Sequence, residues 1–257
     1  MKGTIIISKK GVKLRNPILI VGLPGIGLVG KLATEYLIKE LKAEKVAEVY
    51  SKHFPHQVLM RKKGTLRMLK NKFYAWRNPK KGKSDLLLLV GDVQAITPES
   101  QFEVCNALLD YFEKMNGKRI YTLGGYGVGK IVENPRVLGS ATHKELVEEL
   151  RKYGVVFGEA TGSIIGAAGL LLGIGKIRKM EGACLMGETH GGYVDAKSAK
   201  SVLNVLTKIL GVTVNLNKLD ERVKETEKFM NRMEKEMEKQ KGMGEGVPKS
   251  DALSYIR

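Results

Sequence analysis

The sequence predicts an α/β fold built on a largely parallel sheet that helices cover on both faces. Three observations carry this prediction. Five short apolar runs alternate with helix-like stretches, glycine clusters follow four of these runs, and 43% of the 257 residues are hydrophobic. Such glycine clusters lie at the carboxyl ends of strands, where ligands usually bind in an open α/β sheet.

The elements follow one another along the chain. The predicted strands are the apolar runs at residues 18–21, 45–49, 86–90, 120–123 and 183–186, preceded by a short strand-like run at 5–7. The predicted helices cover residues 27–41, 100–115, 143–152 and 196–210. Residues 56–76 have the pattern of short strands and predict an antiparallel extension of the sheet.

After residue 211 the pattern changes to apolar residues spaced three and four apart. This heptad spacing predicts a coiled-coil-like helix over residues 215–241, which follows a core domain at 1–214 and precedes a flexible tail at 242–257. We interpret the seam as an oligomerisation surface; the alternative is a last helix that packs on its own domain. The residues of the seam are Leu216, Leu219, Val223, Met230, Met233 and Met237.

The net charge of +17 is concentrated near the amino terminus. Residues 1–84 hold 20 Lys and Arg against 4 Asp and Glu. The segment from Arg61 to Lys83 contains ten basic residues and no acid, interleaved with Phe73, Tyr74 and Trp76. That composition is typical of a nucleic-acid surface, but it also fits a solvated face or the contact surface for an acidic protein. Because the aromatic residues alternate as in a strand, we expect them to point inward and nucleic acid to be an unlikely partner.

The chain has no recognisable secretory leader, and its longest apolar stretch, at residues 164–174, is interrupted by glycines and too short to span a bilayer. These features predict a cytoplasmic protein that does not bind membranes. The two cysteines, Cys105 and Cys184, match no metal-ligand spacing and are expected to be buried. The four histidines have no partners at the spacing of a metal site, so neither a metal nor a cofactor is predicted.

Residues 22–31, from Gly22 to Lys31, join the strand at 18–21 to the first helix and nearly match two nucleotide-binding patterns. Gly25 to Lys31 has the spacing of a phosphate loop, but Leu32 occupies the position of the hydroxyl residue that ligates Mg²⁺. The same defect recurs after the fourth strand, where Ile131 follows Lys130.

The second pattern is the dinucleotide fingerprint. Gly25, Gly27 and Gly30 match Gly-x-Gly-x-x-Gly, and Glu48 would bind the ribose. The alternative is that these glycines let the first helix pack closely on the sheet. A nucleotide-binding enzyme that uses Gly25, Gly27, Gly30 and Lys31 as an anion loop is therefore one of the open functions.

Three acids follow predicted strands or precede helices. Asp92 and Glu188 come directly after apolar runs, and Asp195 is placed to cap the helix that begins near residue 196. Because no base, nucleophile or metal ligand accompanies them at a known spacing, no catalytic residue is assigned and no enzyme activity is predicted.

Several motifs in order resemble the archaeal homologues of the proteasome assembly chaperones, relatives of eukaryotic proteasome assembly chaperone 2 that are sometimes labelled as ATP-grasp proteins. The motifs cover nearly the whole chain: residues 22–31 (GLPGIGLVGK), 91–94 (GDVQ), 124–126 (GGY), 166–173 (GAAGLLLG), 187–188 (GE) and 194–200 (VDAKSAK). The resemblance implies a three-layer α/β/α fold similar to nucleoside phosphorylases. It also implies an ATP-independent chaperone or activator that binds proteasome α subunits or the α-ring as a homo-oligomer, for which a tetramer is one candidate.

The resemblance also assigns a role to the carboxyl terminus. In members that dock by their tails, the chain ends in a hydrophobic residue, Tyr and any residue, whereas here Tyr255 is third from the end and is followed by Ile256 and Arg257. These three residues are the predicted partner-binding contacts. The alternatives are the nucleotide-binding enzyme and an RNA-binding module that uses residues 61–83.

Overall fold

The computed structural model describes residues 1, 3–159, 162–217, 219, 221 and 223. Within them the chain forms strands and α-helices in the order expected of an α/β fold. The strands are β1 (Thr4–Ser8), β2 (Ile18–Gly22), β3 (Glu44–Ser51), β4 (Val58–Met60), β5 (Leu66–Met68), β6 (Asn71–Trp76), β7 (Leu86–Gly91), β8 (Arg119–Gly127), β9 (Val137–Ala141), β10 (Val155–Val156) and β11 (Glu181–Thr189). The helices are α1 (Val29–Glu40), α2 (Pro98–Glu113), α3 (Lys144–Arg151), α4 (Ala167–Ile177) and α5 (Ala196–Leu210).

Nine of the strands in the described part of the chain form one mixed sheet, in the order β1-β3-β6-β7-β2-β8-β11-β9-β10. The central strands β7, β2, β8 and β11 are mutually parallel, but β1, β3 and β6 run antiparallel to their neighbours, as β9 does to β11. The prediction of a largely parallel sheet therefore holds only at the centre. The predicted antiparallel extension is present in β6 and in the separate hairpin of β4 and β5.

Helices cover both faces of the sheet, so the fold has the three α/β/α layers that the resemblance implied. Helices α1, α3 and α5 pack on one face, around buried residues such as Leu37, Leu150 and Leu203. Helices α2 and α4 pack on the other, around Leu108 and Leu171. The central strands are buried on both faces, as continuous apolar runs require.

Two helix starts follow local rules. The side chain of Thr97 accepts a hydrogen bond from the Ser100 amide and Pro98 takes the first helical position, so α2 begins before the predicted residue 100. Asp195 accepts from the Ser198 amide at 2.9 Å and caps α5, as the sequence predicted. Helix α4 was not predicted, because its apolar residues show no helical stripe and three glycines interrupt the stretch.

The first two residues of the heptad seam contact the core of their own chain. Leu219 is fully buried in the core beneath α1, α3 and α5, and Leu216 packs against the same cluster. The Tyr36 hydroxyl donates to the backbone oxygen of Asn215 at 2.5 Å, which ties this segment to α1. Leu219 has no surface left for a second chain, which corrects its assignment to an oligomer interface.

The remaining positions of the predicted interface divide between described and undescribed residues. Val223 is described and half-buried. Met230, Met233 and Met237 lie outside the described residues, and so do Tyr255, Ile256 and Arg257 of the predicted docking tail. Among the helices that are described, none is long and apolar enough to cross a bilayer.

Candidate functional site

The centre of the sheet has a topological switch point between β2 and β8. The chain leaves β2 through α1 towards β3 on one side of the sheet, whereas it leaves β8 towards β9 and β11 on the other. Loops that diverge in this way leave a crevice at the carboxyl ends of the strands, which is the usual ligand position in such folds. Of the four glycine clusters that follow predicted strands, those after β2 and β8 meet at this crevice.

A cavity of about 520 Å³ occupies this crevice. Its walls are the ends of β2, β8 and β11, the glycine loop after β2, and the segment that leads into α4. Among the described residues that line it, none carries a charge at neutral pH. The apolar lining residues are Val21, Leu23, Ile26, Leu123, Ile164, Ile165, Ala168 and Met186.

Three of the four glycines in residues 22–31 lie where a Cβ atom would collide with a neighbouring element. A Cβ atom on Gly30 would lie 2.0 Å from the backbone oxygen of Leu123, and one on Gly22 would lie 2.2 Å from the backbone oxygen of Gly30. Gly27 has φ of 59°, and a Cβ there would lie 2.9 Å from the Thr189 hydroxyl. Helix α1 therefore approaches β8 so closely that these positions exclude side chains, which was the packing alternative.

The predicted lysine of the phosphate loop does not reach the cavity. Lys31 lies on the first turn of α1, where its Nζ is 3.9 Å from a carboxylate oxygen of Glu35, and it does not line the cavity. Lys130, in the second near-match, does not line it either. A phosphate in this cavity would therefore lack the cation that the phosphate-loop mechanism needs.

Glu48 is also too distant to serve as a ribose ligand. It lies on β3, which β6 and β7 separate from β2, a distance of about 14 Å across three strand spacings. Its carboxylate is 2.6 Å from Lys45 and 2.8 Å from Lys70. Hydrogen bonds from these two lysines lower the pKa of Glu48 to about 2. Glu48 is therefore not in the position that the dinucleotide fingerprint requires of the ribose-binding acid.

The other candidate acids are held in structural ion pairs. The guanidinium of Arg136 donates to Glu188 at 2.6 Å, and hydrogen bonds from Arg136 hold the pKa of the Glu188 carboxyl below its ordinary value. Burial raises the pKa of Asp92, but hydrogen bonds from Arg67 and the Lys70 amide outweigh this effect and lower it. These carboxylates are fixed as anions at the ends of β11 and β7, and neither lines the cavity.

Gln94 holds two walls of the cavity together. Its Nε2 donates to the backbone oxygen of Pro24 at 2.6 Å, and its Oε1 accepts from the Ala167 amide at 2.9 Å. Pro24 belongs to the glycine loop and Ala167 begins α4, so one side chain joins elements that are about 140 residues apart in sequence. The buried thiol of Cys184 lies at the cavity floor, and burial raises its pKa to about 11, so it stays a neutral thiol.

The basic segment does not present the aromatic platform that RNA binding requires. Phe73 on β6 is fully buried, and Tyr74 and Trp76 pack against the core beneath α1. Two of its cations are engaged, because Arg67 binds Asp92 and Lys70 binds Glu48. The stacking arrangement typical of single-stranded nucleic-acid sites is therefore missing from this described segment.

The β4–β5 hairpin, which overlaps the start of this basic segment, exposes apolar side chains. In the β4–β5 hairpin, Val58 pairs with Met68 and Met60 pairs with Leu66, so these four share one face. Their exposed fractions run from 50% to 86%. Exposed apolar surface of this kind is typical of protein interaction sites.

Comparison with known proteins identifies the family. The PAC2 family matches residues 19–234, which include every element from α1 to α5 and all of β2 but its first residue. The chain belongs to the PAC2 family. The resemblance seen in the glycine motifs is confirmed.

Solved structures place the chain near archaeal members of this PAC2 family. It is 46% identical to the Pyrococcus furiosus proteasome activator PbaB, covering 91% of this chain and 100% of that one, with a TM-score of 0.87. Pyrococcus furiosus PbaA, a homologue of proteasome-assembly chaperone, is 29% identical over 94% of this chain and 96% of its own, with a TM-score of 0.75. A Methanocaldococcus jannaschii protein is 38% identical over 95% of this chain and 93% of its own.

Sequence reasoning missed two parts of the cavity. Gln94 was noted only within the family motif 91–94, and the wall formed by residues 163–168 was taken as an apolar stretch without a site. The position of Gln94 three residues after the last residue of a buried parallel strand is a signal that could have found it, because such positions lie at the crevice.

Proposed function

We propose that this PAC2-family protein is a cytoplasmic, ATP-independent and non-enzymatic proteasome assembly chaperone or activator, which binds α subunits or the α-ring. The main support is its similarity to PbaB, a proteasome activator, at 46% identity over the whole of that chain. A second support comes from the cavity. Among the described residues that line it, none is a cation that could bind a phosphate, and the nearby acids Asp92 and Glu188 are held in ion pairs.

The proposed contact with the α-ring is the tail at residues 242–257, through Tyr255, Ile256 and Arg257. Tyr255 supplies an aromatic ring that can fill a pocket, and Ile256 adds apolar area. Several such tails on one oligomer would bind a symmetric ring with an avidity that a single tail lacks.

Deletion of residues 253–257 tests the tail. We expect the truncated chain to lose most of its affinity for isolated α-rings, as measured by biolayer interferometry, while its thermal unfolding midpoint stays unchanged. Tyr255→Ala should reproduce most of the loss, and Ser254→Ala, which removes only a hydroxyl from the neighbouring residue, should not. Unchanged binding by the deletion variant would contradict docking through the tail.

We further propose that the helix predicted over residues 215–241, whose first two residues are not helical in the structure, supports a homo-oligomer, with a tetramer as the candidate size, through Val223, Met230, Met233 and Met237. Alternating spacings of three and four residues support this proposal. Val223→Asp combined with Met230→Asp should lower the mass seen in sedimentation equilibrium, because each change places a charge in an apolar seam. An unchanged mass would contradict the proposal.

A further inference from the structure

Three glycines that line the cavity are not explained by packing or by backbone conformation. A Cβ on Gly124 would lie 3.9 Å from Cγ of Met186, and one on Gly127 would lie 3.8 Å from a methyl carbon of Ile26, both ordinary contact distances. A Cβ on Gly25 would meet nothing within 4 Å, and its φ of −159° is extended backbone that any residue adopts. A Cβ atom would fit at each of these positions, so we infer that glycine here leaves space in the cavity.

The space that these glycines leave has the size of a ligand site. Protein interiors are close-packed, and filling an apolar cavity with side chains normally stabilises the fold. The volume of about 520 Å³ lies within the roughly 300–1,000 Å³ typical of small-molecule sites. It is also more than three times the ~150 Å³ of a cavity that holds a single benzene ring. One side chain of a protein partner would therefore leave most of it empty.

The lining defines the chemistry of the occupant. With no charged residue among the described lining residues, an ionic ligand would lose its hydration without gaining a counter-charge, so the ligand is uncharged. Apolar walls from Leu23, Ile164 and Met186 favour a largely apolar body. The Gln94 amide, whose position two other backbone groups fix, carries a second N–H that can orient one polar group of the ligand.

We propose that the cavity between the ends of β2, β8 and β11 and the start of α4 binds an uncharged, largely apolar small molecule of more than one ring. The site does not depend on the proteasome-related function proposed above. Its position at the switch point is the position of ligand sites in other open α/β sheets, and its glycine walls keep it accessible.

The test uses Nile red, an uncharged multi-ring dye whose fluorescence rises in apolar surroundings, with the full-length chain. We expect saturable binding with one site per chain. Gly124→Leu places a side chain into the cavity from β8, beside Met186 of the neighbouring strand β11. We expect at least a tenfold loss of dye affinity. Ala168→Phe fills the cavity from α4 and gives a second, independent variant if the first unfolds. Gly173→Leu is the matched control, because Gly173 lies exposed on α4 with nothing within 4 Å of an added Cβ.

Each outcome decides the proposal. Loss of dye binding in both filled variants, with retention in Gly173→Leu and with α-ring binding unchanged, supports a small-molecule site. Absent or non-saturable binding by the unmodified chain overturns it. So does a dye affinity that folded Gly124→Leu and Ala168→Phe leave unchanged, because the dye then binds elsewhere. Displacement of the dye by added α-rings, together with loss of ring binding in the filled variants, also overturns it in favour of a protein contact.

Discussion

The start of α1 and the end of β8 both carry glycines beside the same cavity, but the surroundings of these glycines differ. At the start of α1, Gly22 and Gly30 are required because any Cβ would collide with backbone atoms. At the end of β8, Gly124 and Gly127 have room for a side chain. The difference teaches that a glycine-rich motif can combine two functions, close packing and an open wall, that a sequence pattern does not separate.

The largest effect is expected at the packed end. Gly30→Ala should lower the free energy of unfolding by roughly 2–3 kcal/mol, because the added methyl group must push α1 away from the backbone of Leu123. The higher helix propensity of Ala, worth about 1 kcal/mol, offsets only part of this cost. Urea denaturation followed by circular dichroism measures the change. A loss below about 0.5 kcal/mol would mean that α1 can move freely and that the two regions do not differ.

The amide of Gln94 connects the two regions, so its removal gives the next effect. Gln94→Ala leaves the Pro24 oxygen and the Ala167 amide without these hydrogen bonds, and we expect a loss of roughly 1–3 kcal/mol in unfolding free energy. Faster hydrogen exchange at the start of α4 should accompany it. Gln101→Ala is the comparison variant, because Gln101 donates to the Ala95 backbone oxygen at 2.9 Å and to Gln94 at 3.3 Å but bonds neither Pro24 nor Ala167. An equal loss in both variants would show that Gln94 has no special role in joining the walls.

A third test concerns the end of β11, which the Glu188–Arg136 ion pair fixes beside the cavity. The pKa of Glu188 in the folded chain lies below its ordinary value of 4.5, so its contribution is present above about pH 4.5 and is lost as the pH falls through the folded pKa. Glu188→Gln should therefore be less stable than the unmodified chain at pH 7, by roughly 1–3 kcal/mol, and the two should converge at acidic pH.

Thermal unfolding at intervals between pH 7 and pH 3 measures this convergence. Glu159→Gln is the matched control, because Glu159 pairs with the same Arg136 at 2.7 Å but its side chain is 55% exposed, so its removal should change the stability little. A constant difference between Glu188→Gln and the unmodified chain across the pH range would contradict the assignment.

The central strands could be predicted from the sequence in position and direction, whereas the direction of β3 and the existence of β9 could not. Apolar runs gave β2, β7, β8 and β11, because a strand buried on both faces is apolar throughout. The run that became β3 was equally visible, but its local pattern contains no information on direction. Its antiparallel pairing follows from contacts with β1 and β6. Strand β9 was missed because its sequence, VLGSA, has only two large apolar residues and contains Gly139, where a Cβ would lie 2.5 Å from Val155.

The position of the site could be predicted from the sequence, but its lining could not. Glycine clusters after the predicted strands indicated the position, whereas one wall is formed by α4, a helix whose glycines interrupt the apolar pattern. Gly169 is needed there because a Cβ would lie 2.0 Å from the backbone oxygen of Ile164. The anion-loop alternative placed the charge of Lys31 beside the glycines at the cavity. In the structure, helix α1 directs this side chain towards Glu35 instead.

The smallest effect is expected at the open end. Gly127→Ala adds a methyl group at ordinary contact distance from Ile26, in a strand residue without a left-handed φ, so the unfolding free energy should change by less than about 0.5 kcal/mol or rise slightly. The change is measured under the same denaturation conditions as Gly30→Ala. Because both variants add one methyl group, a difference between their unfolding free energies reports the surroundings of the two glycines. If Gly127→Ala were as destabilising as Gly30→Ala, the end of β8 would be as tightly packed as the start of α1. The cavity would then be a consequence of rigid packing, and its glycines would no longer be the residues that keep it open.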